Sequence, residues 1–403
     1  MHTWLDGESP SRKMTLEKEA CGLRRVKIHK VYSHTAMPAS LQEQFVLFRP
    51  FYQPYKQEGQ RMIQTLEEFC EWLDPSVSPR ILQKKVYWLR SLRSAKKKRK
   101  EYGLFWLAKR GGGYRPVASP SPGLKQVQRG ILSLLAYGEI APPATAYRPG
   151  RNLLDNAAVH VGQPILVKLD LLHFFGSIHF PSVFCAIDRT LSQNPEIAPY
   201  SKESNGKNAG STRADSFNAL LSFFFTTFCT LDGILPQGSP ASPMLSNLVF
   251  FPLDQQIAAF CGQRHIHYTR YSDDLTFSGD FSPEPLIRFV YQLLRKNGFL
   301  LNPAKTIIAR QGRRQQVTGI LVNDHPQVGR DYRRRIRQEV HYLRRFGVAS
   351  HLLHEGQTGW ALHPAPYLQS LLGRIQFVLQ ICPYDREFLE YRAYVLRLLK
   401  SSL

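Results

Sequence analysis

Apolar residues along this chain recur at two different spacings, and the alternation between them outlines an α+β protein. From Arg61 to Leu92 they return every three or four positions (Ile63, Leu66, Phe69, then Ile81, Val86, Leu89), the period of a helix with one buried face. The stretch from Asp74-Pro75 to Ser78-Pro79 splits that pattern into two helices. Tyr102 to Pro120 carries an apolar run at Leu104–Leu107, a glycine turn at Gly111–Gly113 and a second run from Tyr114 to Val117, which predicts a hairpin. An amphipathic helix follows over Gly123 to Tyr137, and Gln163 to Asp170 reads as a buried strand ending on a carboxylate. The sequence turns polar between Leu191 and Ser216, as a surface insertion does. Ser242 to Phe260 is helical in pattern, Tyr268 to Phe277 alternates like a hairpin, and the chain beyond Gly329 is mostly helical and Arg-rich. Residues 1 to about 60 show little periodicity and predict only short helices or a partly ordered arm.

Charge changes this picture more than composition does. The chain has 403 residues, 43% of them apolar and 12% aromatic, so most of it should fold around sizeable cores. Its formal net charge is +22, from 53 Lys and Arg against 31 Asp and Glu. Self-repulsion on that scale opposes compactness and points to a polyanionic partner, nucleic acid before a membrane surface. The longest apolar run, Ala219 to Leu231, is too short to cross a bilayer, and the first residues carry no basic-then-apolar secretory signal. Six cysteines lie scattered without C-x-x-C spacing, which speaks against a zinc site or a disulfide framework and for reduced thiols in a cytoplasmic protein. The run Lys96–Lys100 is either a solvated face or a nucleic-acid contact. Lys109 and Arg115 flank the glycine turn, where basic groups on a hairpin can face a triphosphate.

The candidate chemistry centres on Asp273 and Asp274. They are adjacent and sit between two β-prone stretches, where each makes the other's ionisation costly. Divalent cations remove that cost, and Mg²⁺ favours carboxylate and phosphate oxygens. Phosphoryl transfer by two metals requires a further carboxylate, for which Asp170 at its strand end is placed. An Asp-Asp pair taken alone is more often an ordinary turn. Here it is the last of three segments in order: Asp170-Leu-Leu-His-Phe-Phe175, then Gln237-Gly-Ser-Pro-Ala-Ser-Pro243, then Tyr271-Ser-Asp-Asp274.

That ordered set resembles the palm of reverse transcriptases. The resemblance implies a right-hand polymerase with an antiparallel palm sheet backed by helices, fingers over about 61–162, a palm over 163–325 and a helical thumb over 326–403. It implies an RNA-directed DNA polymerase with two Mg²⁺ ions, Mn²⁺ being a substitute, held by Asp170, Leu171, Asp273 and Asp274. Phe175 matches the side chain that excludes a ribose 2′-hydroxyl, and Gln237 and Gly238 match the floor beneath the incoming deoxynucleotide. Lys305 lies where a lysine can approach the triphosphate, a surface lysine being the alternative.

Two short motifs narrow the resemblance to retron-type enzymes. Asn156-Ala-Ala-Val-His160 precedes the first catalytic strand, and Val317-Thr318-Gly319 follows the hairpin; both are expected to touch RNA, with a satisfied core histidine as the alternative for His160. Gly329 to Arg345 holds seven arginines against two acids. Ile336, Val340 and Leu343 form one apolar stripe there, which leaves Arg333, Arg334 and Arg337 for phosphates. The retron resemblance further implies a structured noncoding RNA as template and primer, and a branched, 2′-primed RNA–DNA product (msDNA). It also implies an RNA–DNA hybrid, a separate effector protein and a role in antiphage defence. A group II intron or diversity-generating reverse transcriptase is the nearest alternative enzyme. An RNA-binding scaffold that has lost catalysis is the alternative outside enzymes.

Overall fold

Thr65 starts the first helix by a reciprocal cap. Its hydroxyl accepts from the Glu68 amide at 3.1 Å, and the Glu68 carboxylate accepts from the Thr65 amide at 3.0 Å, satisfying two donors that a helix start leaves open. The computed structural model describes residues 63, 65–109, 112–194, 211–356 and 363–401, without the side chains of 211–218. The N-terminal arm and most of the polar insertion therefore lie outside the described residues.

Helices α1 (Leu66–Leu73) and α2 (Pro79–Ser91) bury Leu66, Phe69, Val86 and Leu89, while Ile81 is exposed. The lysine run forms α3 (Ala95–Lys100) and is not one uniform face. Lys98 is buried, with its ammonium donating to the Thr227 carbonyl at 3.2 Å, and burial pulls its pKa down. Arg99 pairs with Asp232 at 2.8 Å. Only the remaining lysines of the run keep both readings open.

Strands β1 (Tyr102–Ala108) and β2 (Tyr114–Pro120) pair antiparallel as the expected hairpin. Next comes α4 (Pro122–Leu134), with Leu124, Val127 and Ile131 inside, then α5 (Leu153–Ala158), opened by an Asn152–Asp155 capping box. Strand β3 (Ile165–Asp170) leads through a single 3₁₀ turn, Phe175–Ser177, into α6 (Phe180–Leu191). The apolar run reads as part of α7 (Ser211–Cys229), and α8 (Ser242–Gly262) buries residues around most of its circumference. Strands β4 (His267–Tyr271) and β5 (Asp274–Gly279), helix α9 (Pro283–Lys296) and strand β6 (Ile307–Arg310) complete the central region. The four strands form one antiparallel sheet in the order β4-β5-β3-β6.

A further small antiparallel sheet, β7 (Gln316–Val317), β8 (Ile320–Leu321) and β9 (Gln327–Val328), is invisible in the sequence because two-residue strands carry no period. It packs under the C-terminal helices α10 (Arg330–Phe346), α11 (Val348–His354), α12 (Ala365–Ile381) and α13 (Arg386–Ser401). Their shared core joins Val317, Ile320 and Val328 to Ile336, Leu343, Leu371 and Phe388, and takes in Ala157 of α5 and Leu166 of β3. Among the described residues, no helix is long and apolar enough to cross a membrane.

Candidate active site

The β4–β5 connection is a two-residue loop, Ser272-Asp273, because Tyr271 pairs directly with Asp274. Loops this short need a left-handed residue, and Ser272 supplies it at φ +61°. A non-glycine residue in that region costs about 1–3 kcal/mol and persists only where its surroundings over-determine it. Two contacts do so: the Tyr147 hydroxyl lies 2.9 Å from Ser272 Oγ, and Arg270 donates to the Ser272 carbonyl at 3.1 Å. Arg270 is itself fully buried. It grips Asp254 of α8 through Nε to Oδ1 at 2.9 Å and Nη2 to Oδ2 at 2.7 Å, bonds Asn247 at 3.1 Å and lies over the Phe250 ring at 4.6 Å. Sequence reading assigned Arg270 and Asp254 no role. Their signal was an arginine inside the β-prone stretch His267–Tyr271, since a buried strand tolerates only a partnered cation.

Asp170 ends β3 in register with Asp274 of β5, so the two side chains leave the same face of the sheet. The Leu171 amide donates to the Asp273 carbonyl at 3.0 Å, which stitches the end of β3 to the loop. With its amide used and its side chain buried, Leu171 has only a carbonyl oxygen to offer a cation. Burial raises the Asp273 carboxyl above its usual range, and repulsion from Asp170 adds to it. Asp274 is raised chiefly by burial, with repulsion from Asp273 and Asp170 opposed by Lys168. The Lys305 ammonium lies against Asp170, 2.9 Å from Oδ1 and 3.1 Å from Oδ2, and Asn302 donates to Asp170 Oδ2 at 3.4 Å. Lys305 thus meets the carboxylate directly, and that contact raises its pKa.

These residues fit divalent cations: three hard carboxylates leave two adjacent strands and a loop, half-buried or buried, each penalised for its charge or placed beside a neighbour that is. Among the described residues, no three His, Cys, Asp or Glu side chains are already gathered as a metal cage. The cation that meets Asp170 here is Lys305.

Beside the carboxylates opens a cleft of about 400 Å³ lined by Phe175, Gln237 and Gly238, and by Lys125, Arg129 and Tyr147. Tyr147 joins cleft to loop, since the same hydroxyl bonds Ser272. The two cleft cations were missed in sequence. Lys125 and Arg129 sit four residues apart on α4, directly after the hairpin, so one helix face presents both. Lys109 and Arg115 are exposed on the hairpin and do not line this cleft. Arg110 lies outside the described residues.

The Gln237–Gly238 loop is fastened to the hairpin and to α4: the Ala118 amide donates to the Gln237 carbonyl at 2.8 Å, and Ser239 donates to Gln128 at 2.9 Å. Gly238 has φ +115°, and a β-carbon there would sit 2.7 Å from Val117 Cγ1 and 2.8 Å from the Ala118 carbonyl. Gly238→Ala is therefore expected to force the loop off β2 at a cost of about 1–3 kcal/mol. A matching fall in melting temperature and a raised KM for deoxynucleotides would be measured. Unchanged values for both would show that the contact is slack.

Several sequence expectations need correction. Asn156 and His160 are fully buried. Each spends its polar atoms on partners inside the protein, which for His160 is the core-histidine alternative. Val317 is a core residue, while Thr318 and Gly319 form the turn from β7 to β8, with Gly319 exposed. Arg333 pairs with Asp385, and Arg337 holds Glu387 at 2.7 Å. These two arginines knit α10 to α13; Arg334 is exposed, as are Arg330 and Arg345. An amphipathic pattern separates apolar from polar positions, but not arginines that meet phosphate from arginines that meet a neighbouring helix.

The chain matches the family described as reverse transcriptase (RNA-dependent DNA polymerase) over residues 107–343. It is 32% identical over 245 residues to the Retron Ec83 reverse transcriptase of Escherichia coli, covering 58% of this chain and 73% of that one. The chain belongs to the reverse transcriptase family, in its retron-type branch. The Retron Mx65 reverse transcriptase of Myxococcus xanthus is 32% identical over 281 residues, and the match spans 66% of this chain and 61% of that relative. Among solved structures, telomerase from Candida albicans aligns over 81% of this chain and 66% of that one, at 10% identity and a TM-score of 0.39. As a reverse transcriptase, the protein is an RNA-directed DNA polymerase of right-hand architecture. The antiparallel sheet that carries Asp170, Asp273 and Asp274 is its palm.

Proposed function

We propose that this reverse transcriptase copies a structured noncoding RNA into DNA, with Asp170, Asp273 and Asp274 holding the metal ions. The observation that carries this reading is the in-register pairing of Asp170 with Asp274 beside Asp273, next to a cleft that Tyr147 ties to the same loop. Two bound Mg²⁺ ions, or Mn²⁺ in their place, would supply activation of the attacking hydroxyl and stabilisation of the leaving pyrophosphate. Lys125 and Arg129 face the triphosphate from the cleft wall, and Lys305 exchanges Asp170 for phosphate oxygens as substrate arrives. Lys109 and Arg115 reach the triphosphate only if the hairpin bends over it. Residues 61–162 act as fingers, 163–325 as palm and 326–403 as thumb.

The retron relatives support the finer reading. Synthesis starts on a 2′-hydroxyl of the RNA, leaving branched msDNA with an RNA–DNA hybrid, and serves antiphage defence with a separate effector protein in the cytoplasm. Sequencing nucleic acid that copurifies with the protein tests it. Branched RNA–DNA of a single sequence supports the reading, whereas linear or mixed RNA favours an intron-type or diversity-generating enzyme.

Phe175 lines the cleft half-buried, its ring 5.4 Å from that of Phe174. Phe175→Ala removes bulk where a 2′-hydroxyl would sit, so discrimination against ribonucleotides is expected to fall by about 10–100-fold. Single-nucleotide incorporation kinetics would register it, and unchanged discrimination would reassign Phe175 to packing.

Exposed Arg330, Arg334 and Arg345 are proposed as the thumb's phosphate contacts. Reversing all three to Glu should weaken RNA binding and lower the salt slope by about one per lost contact. Extension of a pre-annealed primer at high concentration should survive. Reversing Arg333 and Arg337 should instead lower the melting temperature, because the α10–α13 ion pairs are lost. Equal RNA affinity in the first variant and wild type would move the grip to the lysines of α3.

A further inference from the structure

The motif from Asn156 to His160 predicts an RNA contact, yet the side-chain polar atoms of both residues point into the protein. His160 places Nδ1 2.7 Å from Ser278 Oγ and Nε2 2.7 Å from Thr269 Oγ1. Thr269 belongs to β4 and Ser278 to β5, the two strands that the Ser272-Asp273 loop joins, with Asp274 opening β5. Alternation along these strands puts Thr269, Ser278 and Asp274 on one face of the sheet. A single ring therefore bridges both arms of the catalytic hairpin, two residues along β4 from Tyr271 and four along β5 from Asp274. At about 3.4 Å per residue, that is roughly 7–14 Å from the carboxylates.

Asn156 makes the parallel connection. Its side-chain carbonyl accepts from Thr145 Oγ1 at 2.8 Å, and its amide donates to Thr318 Oγ1 at 3.5 Å. Thr145 in turn donates from its backbone amide to the Arg270 carbonyl at 2.9 Å. Behind them, the Gly162 amide bonds the Val322 carbonyl at 2.9 Å, and Ala157 sits in the core shared with α10, α12 and α13. Burial holds His160 neutral, with its pKa pushed down to about 3. A neutral imidazole has one donor and one acceptor, which two hydroxyls satisfy in either tautomer.

Resting on the reading of the function above, we infer that Asn156 and His160 are positioning residues: a buried polar clamp that fixes the height of the Asp273–Asp274 loop against the C-terminal helical core. The clamp touches neither substrate nor metal. It acts by denying the hairpin the small shifts that nucleotidyl transfer does not tolerate, a misplacement of about 1 Å costing on the order of 100-fold in rate.

Thr269→Val, Thr269→Ser and Asn156→Leu test it without removing the buried ring. For Thr269→Val, kcat for single-nucleotide addition to a pre-annealed primer should fall by about 10–100-fold, with KM for deoxynucleotide and Kd for RNA within about twofold of wild type. Hydrogen exchange over residues 267–279 should accelerate. Thr269→Ser, which keeps the hydroxyl, should restore both, and Asn156→Leu should resemble Thr269→Val. Weaker RNA binding with kcat unchanged would overturn the clamp in favour of an RNA contact. A lower melting temperature with kcat and hairpin exchange unchanged would reduce it to packing. Should wild-type protein add no nucleotide at all, the proposed function fails, and the exchange comparison still decides the clamp.

Discussion

Asp170→Asn and Asp273→Asn proteins are expected to fold, bind RNA and add no measurable nucleotide. Each substitution removes a full negative charge from the group that would hold the ions. Charge stabilisation there is worth several kcal/mol at 1.36 kcal/mol per decade, so the loss should exceed about 1,000-fold. Stability should change little. Burial and mutual repulsion hold the Asp273 carboxyl above its usual range, and an amide relieves both. The contact between Asp170 and Lys305 is largely open to solvent on the lysine side, at 62% exposure, so its loss costs little. Primer extension with Mg²⁺ in rapid quench, alongside RNA binding and thermal melting, checks all three statements. Extension near the wild-type rate would sink the metal assignment. Melted protein would mean that the carboxylates serve the fold.

Asp254→Ala should do the reverse and strike the fold first. Both partners of the Arg270–Asp254 pair are fully buried, and Asp254 also accepts from the Tyr268 hydroxyl at 2.7 Å. Removing the acid strands a guanidinium in the core, a loss of about 3–5 kcal/mol. That is a large share of the stability of an ordinary domain. Replacing the pair together, Asp254→Leu with Arg270→Met, should recover much of the stability, since apolar isosteres often match buried ion pairs. Extension should nevertheless stay low in the double variant, because nothing then holds the Ser272 carbonyl. Denaturant midpoints and extension rates on the same preparations separate the two effects. A double variant as active as wild type would show that the Ser272 loop keeps its strained backbone without Arg270.

The sequence by itself determined the α+β class, the order of the longer elements and the hairpin that carries Asp273 and Asp274. Each is a local matter. Helical and strand periods show where one face is buried, and an Asp-Asp pair between two β-prone stretches marks where one strand gives way to the next. Only the tertiary structure decided what became of polar groups whose partners lie far along the chain. His160 meets residues 109 and 118 positions away, Arg337 meets one 50 away, and Lys98 meets a carbonyl 129 away. A histidine, an arginine or a lysine reads alike in sequence whether it faces RNA or the interior. Lys125 and Arg129 joined the cleft for the same reason: which side of α4 faces Gln237 is set by packing against the hairpin and α7, and helical spacing reveals the faces without saying what lies opposite each.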